Sequence, residues 1–181
     1  ERVVRDFAEF ARRPALEPSV IDVRGLLADV AELVAADAGA AGLDVELGDG
    51  READDTDDDG RGRLTVVADP GALRRILLNL VKNAIQAAAS VGERGGAVRL
   101  AARAVGSDVE LTVWNRGPTI SPSVSGKIFD PFFTTREKGT GLGLAFVREL
   151  ARAHDGTVEV TSEDGETTFR VIIPAAGPKP R

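Results

Sequence analysis

Three stretches of the sequence place polar or flexible residues at spacings that suit ligand chemistry. In Gly139-Thr140-Gly141-Leu142-Gly143-Leu144, glycines alternate where a loop gives way to a helical pattern. Such glycines let backbone N–H groups approach a chain of phosphates, and a helix N-terminus adds partial positive charge. No Gly-Lys-Ser/Thr follows, so the run is not a P-loop, and the strand-then-acid context of a dinucleotide fold is missing. Taken alone it is equally a flexible hinge. Asn79, Asn83 and Gln86 fall at i, i+4 and i+7, beside an apolar face of Leu73, Ile76, Leu77, Leu80 and Ala84. Asn is a poor helix former, so two in one stripe point to a task. An amide oxygen at the edge of a core can bind a metal ion or orient water; a solvated helix flank is the plainer alternative. Finally, Phe129-Asp130-Pro131-Phe132-Phe133-Thr134-Thr135-Arg136 gathers three of the seven phenylalanines within five loop residues. Exposure of all three would be costly. Packed down, they pin a mobile segment and present Arg136 and Lys138 toward an anion, unless the segment is ordinary loop packing.

These residues need elements to hold them. Residues 1–13 carry Val3, Val4, Phe7, Phe10 and Ala11 at helical spacing, and Pro14 and Pro18 end that stretch. A second amphipathic helix is predicted over 23–43, with Leu26, Leu27, Val30, Leu33 and Val34 as its stripe. Short strands are predicted at Leu43–Leu47 and Leu64–Ala68. Asp69-Pro70 then starts a helix to about Ser90: Asp caps free N–H groups, and Pro suits the first turn because its N–H is missing anyway. Strands Val98–Ala104 and Val109–Trp114 flank a turn at Gly106. A long loop, 115–141, precedes a helix from Leu142 to His154 that Gly156 stops. Strands Thr157–Thr161 and Thr167–Ile173 form a hairpin around Asp164-Gly165. Helices interspersed with hairpin-connected strands predict an α/β (α+β) two-layer sandwich, in which a mixed, mostly antiparallel sheet is covered on one face by helices.

Composition narrows the classes. The chain has 181 residues, 43% of them hydrophobic, which suits one folded domain with a short appendage. No apolar run approaches the ~20 residues that cross a bilayer, and no secretory signal is expected ahead of the domain. Zero cysteines exclude disulfides and thiolate metal sites and fit a reducing compartment. With no methionine, even at position 1, the chain is expected to be a fragment of something longer. A net charge of −6 argues against nucleic-acid binding. Charge is uneven, though: acids crowd between Asp44 and Asp59, whereas Lys127, Arg136 and Lys138 surround the glycine run, where an anionic ligand is sought first.

Together and in this order, the motifs resemble those of the histidine-kinase ATPase domain, within the gyrase, Hsp90, histidine kinase and MutL superfamily. Asn79-Leu80-Val81-Lys82-Asn83-Ala84 is similar to the family's N box. Trp114-Asn115-Arg116-Gly117-Pro118-Thr119-Ile120 is similar to its first glycine box, Phe129–Phe133 to its F box, and Gly139–Leu144 to its second glycine box. The resemblance covers about residues 22–175 and implies a Bergerat-type ATP fold. It also implies residue roles. Asn83 would coordinate a Mg2+ bridging the triphosphate of ATP. Asn79 would have a positioning role where hydrolysing relatives carry a glutamate base; an amide there suits transfer over hydrolysis. Asn115, Gly117 and Thr119 would line the nucleotide. Arg136, Lys138 and the backbone of Gly139, Thr140, Gly141, Leu142 and Gly143 would hold phosphates, and Thr168 would help hold adenine. Loop 118–138 would be a lid.

The match departs from the family at two positions. Its first glycine box usually reads Asp-x-Gly-x-Gly, with the Asp accepting a hydrogen bond from the adenine amino group; here Asn115 and Thr119 replace the Asp and the second Gly. Asn keeps a carbonyl oxygen but loses the charge, so weakened rather than abolished affinity is expected. Thr119 is expected to restrict the hinge, since Gly alone is at ease with φ > 0. The one histidine, His154, sits at a helix C-terminus, where capping and packing are expected of it in place of phosphate acceptance. Asp55-Thr56-Asp57-Asp58-Asp59-Gly60 opens like a calcium loop, but position 12 is Val66 where Glu is needed, so a solvated acidic loop is the better reading.

The resemblance therefore implies the ATP-binding catalytic domain of a two-component sensor histidine kinase. Its γ-phosphate would go to a histidine on the dimerisation domain of the same protein, and then to a response regulator. Residues 1–14 would end a dimerisation helix, 15–22 form a linker, 23–175 the ATP-binding domain and 176–181 a tail. The parent protein would be a homodimer, with this domain cytoplasmic whether or not the parent is membrane-anchored. The competing readings are a nucleotide-binding pseudokinase or regulatory module, a serine kinase of the anti-sigma-factor type, and a mechanical ATPase. Asn115 and Thr119 motivate the first, the helix tail and linker disfavour the second, and Asn79 disfavours the third.

Overall fold

The computed structural model describes residues 15–48, 64–92, 98–136 and 139–178. The helix tail expected over 1–13, the calcium-like stretch, Lys138 and the last tail residues lie outside them. In chain order the elements are β1 (Ser19–Asp22), α1 (Val23–Ala40), β2 (Val45–Leu47), β3 (Thr65–Ala68), α2 (Pro70–Ser90), β4 (Val98–Val105), β5 (Asp108–Arg116), α3 (Pro122–Ser125), α4 (Gly143–Ala153), β6 (Thr157–Glu163) and β7 (Glu166–Pro174).

Five strands form one sheet in the order β2-β4-β5-β7-β6, antiparallel except for the parallel β2–β4 pair. Period-2 alternation sends Val98, Leu100, Val109, Leu111, Val113, Phe169, Val171 and Ile173 to one buried face. Helices α1, α2 and α4 lie over the sheet, and the expected two-layer architecture is the one observed. The sheet's other face carries Arg99, Trp114 and Glu166: the Arg99 guanidinium lies 5.4 Å from the Trp114 ring centroid, and the indole N–H donates to Glu166 at 3.3 Å.

Helix α2 organises the core. Asp69 caps it by accepting from the Ala72 N–H at 2.8 Å, Pro70 fills the first turn, and the buried stripe runs Ala72, Leu73, Ile76, Leu77, Leu80, Val81, Ala84, Ile85 and Ala88. Each fully buried Leu or Ile contributes about 1.5–3 kcal/mol relative to exposure. In α1 the buried stripe is Val23, Leu26, Leu27, Val30, Val34 and Ala38. Leu33, expected in that stripe, is 58% exposed, because it stands one residue, or about 100°, round the helix from Val34.

Three local features differ from the sequence expectation. Ser19–Asp22, read as part of a linker, forms strand β1 and pairs antiparallel with β3, Ile21 opposite Val66. The loop from 115 to 141 holds the short helix α3. At the end of α4 the left-handed residue is Asp155 (φ 55°), not Gly156. Glycine is required at 156 for a different reason: a Cβ there would lie 2.3 Å from the Ile172 carbonyl oxygen. The β6–β7 hairpin turns on Asp164 and Gly165, both at positive φ, as a two-residue primed turn demands.

His154 closes α4 as expected. It is 0% exposed; Nδ1 donates to the Leu150 carbonyl at 2.7 Å, and Nε2 accepts the Asp69 N–H at 3.1 Å. Asp69 also accepts the Glu17 N–H at 2.8 Å, which ties the entering chain to α2. Burial raises the Asp69 pKa, but the N–H groups of Glu17, Ala72 and Gly71 outweigh it and hold the carboxyl below its ordinary value.

Candidate functional site

The polar stripe of α2 faces the loop between β5 and α4. Asn79 turns its amide N–H2 back onto its own helix, donating to the Arg75 carbonyl at 2.9 Å. Its Oδ1 lies 3.0 Å from where a Cβ on Gly143 would sit, so glycine at 143 lets the first residue of α4 approach Asn79 closely. One turn further, Asn83 Oδ1 accepts from Arg136 Nη1 at 2.9 Å, and the Asn83 carbonyl accepts from Nη2 at 3.4 Å. The same Nη1 donates to Gln86 Oε1. Arg136, 50 residues further along the chain than Gln86, thus crosses from the loop onto α2. Burial against the helix lowers the guanidinium pKa from its usual value.

A second polar cluster closes the end of the sheet. Asn115, at 1% exposure on the core face of β5, stands opposite Thr167 of β7 in the register. Its Nδ2 donates to the Arg116 carbonyl at 3.1 Å. A Cβ on Gly117 would meet Asn115 Nδ2 at 3.0 Å and the Ala87 backbone at 3.1 Å, so Asn115 and Gly117 lie against α2 one turn beyond Asn83. The Gly117 N–H donates to the Gly165 carbonyl at 2.8 Å, and Thr119 Oγ1 accepts the Gly165 N–H at 3.0 Å. Thr119 is not among the residues at positive φ, so this conformation does not demand a glycine there. Ser162 Oγ accepts the Ile120 N–H at 2.9 Å and bonds Thr167 Oγ1 at 2.8 Å.

Thr168, assigned to the adenine by resemblance, stands elsewhere. Alternation puts it on the sheet face it shares with Trp114, its neighbour in register, whereas Thr167 is 3% exposed on the face of Asn115. Counting by two from core residue Phe169 leads to Thr167, so the sequence itself carries the signal.

The loop itself is anchored at several points. Ile128 is buried, Phe129 packs edge-on against Phe169 at 6.3 Å between centroids, and Phe133 packs on the core. Asp130 pairs with Arg148 of α4 at 3.3 Å. Phe132 does not join its neighbours: it is 53% exposed at φ 66°, and its N–H donates to the Gly141 carbonyl at 3.0 Å. Gly141 (φ 66°) admits that contact, because a Cβ there would lie 2.4 Å from the Phe132 carbonyl carbon. Gly139 lies against Thr134, and Thr140 Oγ1 is 3.5 Å from the Leu142 N–H. Leu142 is buried at the start of α4, whose first turn has no side-chain cap, leaving its N–H groups to a ligand or water. Thus Asn79 and Asn83, near the middle of α2, meet Gly143 and Arg136, while Asn115 and Gly117 lie against the same helix about one turn beyond and Thr119 holds the Gly165 turn.

Among the described residues, no group of three or more His, Cys, Asp or Glu gathers to hold a metal ion. No helix among them is long and apolar enough to cross a membrane.

Residues 68–177 match the family model described as "Histidine kinase-, DNA gyrase B-, and HSP90-like ATPase". Sensor histidine kinase ZraS of Escherichia coli (strain K12) is 33% identical over 174 residues, covering 96% of this chain and 34% of ZraS. The chain therefore spans about a third of that relative's length. The crystal structure of full-length ShkA in complex with AMPPNP superposes with a TM-score of 0.80 at 32% identity, covering 97% of this chain and 36% of ShkA. Histidine kinase ThkA, in its complex with response regulator protein TrrA, is similar at a TM-score of 0.77 and 27% identity, over 99% of this chain and 48% of ThkA. With the motif order, the sheet topology and this match in agreement, the chain belongs to the histidine kinase-, DNA gyrase B- and HSP90-like ATPase family.

Proposed function

We propose that the chain is the ATP-binding catalytic domain of a two-component sensor histidine kinase. One observation carries the reading: Asn83 Oδ1 receives the cationic Arg136 guanidinium one turn along α2 from Asn79, which lies against Gly143 of the glycine run. A Mg2+ ion fits that oxygen. Mg2+ is commonly held by one or two protein oxygens plus substrate phosphates and water, and no protein cage is needed. Asn83 would hold it, and the ion would supply charge neutralisation of the phosphates. Arg136, Lys138 and the N–H groups from Gly139 to Gly143 would bind the phosphate chain. Asn115 and Thr167, side by side on the core face, would take the adenine edge, with Gly117 and Thr119 shaping the entrance.

Asn79 is a positioning residue in this reading. Its amide cannot serve as a base near neutral pH, which favours phosphoryl transfer to a protein nucleophile over hydrolysis. A histidine nitrogen attacks the γ-phosphorus, the bond to the bridging oxygen breaks, and ADP leaves. His154 cannot be that acceptor, since both ring nitrogens are engaged and the ring is buried. The acceptor would belong to a dimerisation domain of the same protein, in a homodimer. A response regulator would then take the phosphoryl group; the ThkA–TrrA complex supports such a partner. Use of ATP suits a cytoplasmic domain. Residues 1–14 and 15–22 would then be the end of a dimerisation helix and its tether, although β1 extends the domain back to Ser19.

Calorimetric titration with ATP and ADP, with and without Mg2+, tests the site. Asn83→Ala is expected to weaken the Mg-dependent part about tenfold or more, as loss of a charge-assisted contact of ~1.5–3 kcal/mol implies. Acid-labile labelling of the parent protein by Mg-ATP would support histidine transfer. Acid-stable labelling, or phosphate release alone, would sink it.

A further inference from the structure

Arg136 occupies the Asn83 oxygen that the proposed function assigns to a metal ion. It donates to Asn83 Oδ1 and to Gln86 Oε1, two neutral oxygens of one helix stripe. A guanidinium and a divalent cation cannot share Asn83 Oδ1, and an arginine held on α2 cannot reach along the nucleotide. We infer that Gln86 is a positioning residue that parks Arg136 over Asn83, so that Mg-nucleotide binds only by exchanging this parked contact for an Arg136–phosphate contact.

The charges set the direction of the exchange. A guanidinium bound to two amide oxygens gains less than one paired with phosphate oxygens. The parked state is therefore the resting arrangement and the phosphate-bound state the liganded one, and the parked contact lowers the apparent affinity by the fraction of chains it occupies. Gln86 is exposed, with its backbone inside a long, well-packed helix, so its substitution touches the latch and leaves the core alone. The inference rests on the nucleotide-binding reading, and its test has one arm that needs no nucleotide.

In that arm, trypsin cleavage after Arg136 is followed in the ligand-free chain. Gln86→Ala is expected to speed it several-fold, while Gln86→Glu, which keeps an acceptor, keeps it slow. In the second arm, calorimetry with Mg-ADP is expected to show Gln86→Ala binding about three- to tenfold tighter, the scale of one exposed charge-assisted hydrogen bond. In an Arg136→Ala background the same substitution is expected to change nothing. Nucleotide binding without any gain in Gln86→Ala, or the same gain without Arg136, would overturn the latch alone. Failure of every variant to bind nucleotide would overturn the function proposed above, and the competition with it.

Discussion

The two ends of the candidate site are built by different means. At the sheet end, Asn115, Thr167 and Ser162 are held by strands and by one another, and Gly117 and Thr119 are clamped to the Gly165 turn. At the end proposed for phosphates, Arg136 reaches across from a loop, and its guanidinium donates to oxygens of the half-buried Asn83 and the exposed Gln86. Buried polar groups must be satisfied inside the fold, so the first end is set before a ligand arrives. Exposed charge-assisted contacts trade readily with water and ligands, so the second end can change partners without unfolding anything. Under the proposed function the contrast fits the ligand: a flat aromatic base would need a fixed edge to meet, whereas a phosphate chain that reacts and leaves would need partners that can let go.

Helix α2 underlies both ends, so damage to its core should remove the contrast altogether. Leu77→Ala, at a fully buried position, is expected to lower unfolding stability by about 2–5 kcal/mol in a denaturant titration, with both ends lost in one transition. A site whose ends unfolded separately would show that they do not share a core. Asp69→Ala acts where the helix starts, and removing the cap is expected to cost about 1–2 kcal/mol near pH 7. Because the folded pKa of Asp69 lies below its ordinary value of 3.8, its charge stabilises the fold above that value. The gap between wild type and variant should therefore narrow as pH falls through the folded pKa, and a gap that widened on acidification would contradict the capping account.

Smaller effects sharpen the comparison. Thr167→Val is expected to cost about 0.5–1.5 kcal/mol of stability through loss of the Ser162 contact, and to weaken nucleotide binding. Thr168→Val, on the opposite face, should leave binding unchanged; calorimetry on the pair separates the two threonines. The smallest change is expected from Asp130→Ala, which breaks a partly exposed ion pair to Arg148 and should cost less than about 1 kcal/mol in a thermal melt. Its effect should appear instead as faster proteolysis between α3 and α4. Equal protection in both proteins would mean that the buried Ile128 and the half-buried Phe129 and Phe133 hold the loop unaided.

Periodicity and punctuation made most of the fold readable. The alternating apolar residues of β4, β5 and β7 and the Asp69-Pro70 start of α2 lie where pattern and capping chemistry put them. Sequence and structure part company where a short segment gains its structure from a distant partner. Ser19–Asp22 has little strand signal of its own and becomes β1 only by pairing with β3. Phe132 looks like its neighbours in sequence, yet a left-handed backbone turns it from the core that holds Phe129 and Phe133. The choice between Thr167 and Thr168 was readable in principle, but only by counting from a core residue on the same strand.

What the sequence by itself determined was chemistry carried in short spans: the asparagine stripe, the glycine run, the capped start of α2, and the family to which their order points. Such features follow from local geometry, which neighbouring residues set among themselves. Only the tertiary structure decided which threonine shares a face with Asn115, that Gly143 lies close against Asn79, and that Arg136 rests on Asn83 and Gln86. Each of those facts joins residues that are far apart in the chain. Pairing and packing decide them, because a contact between distant residues depends on every element that folds between them.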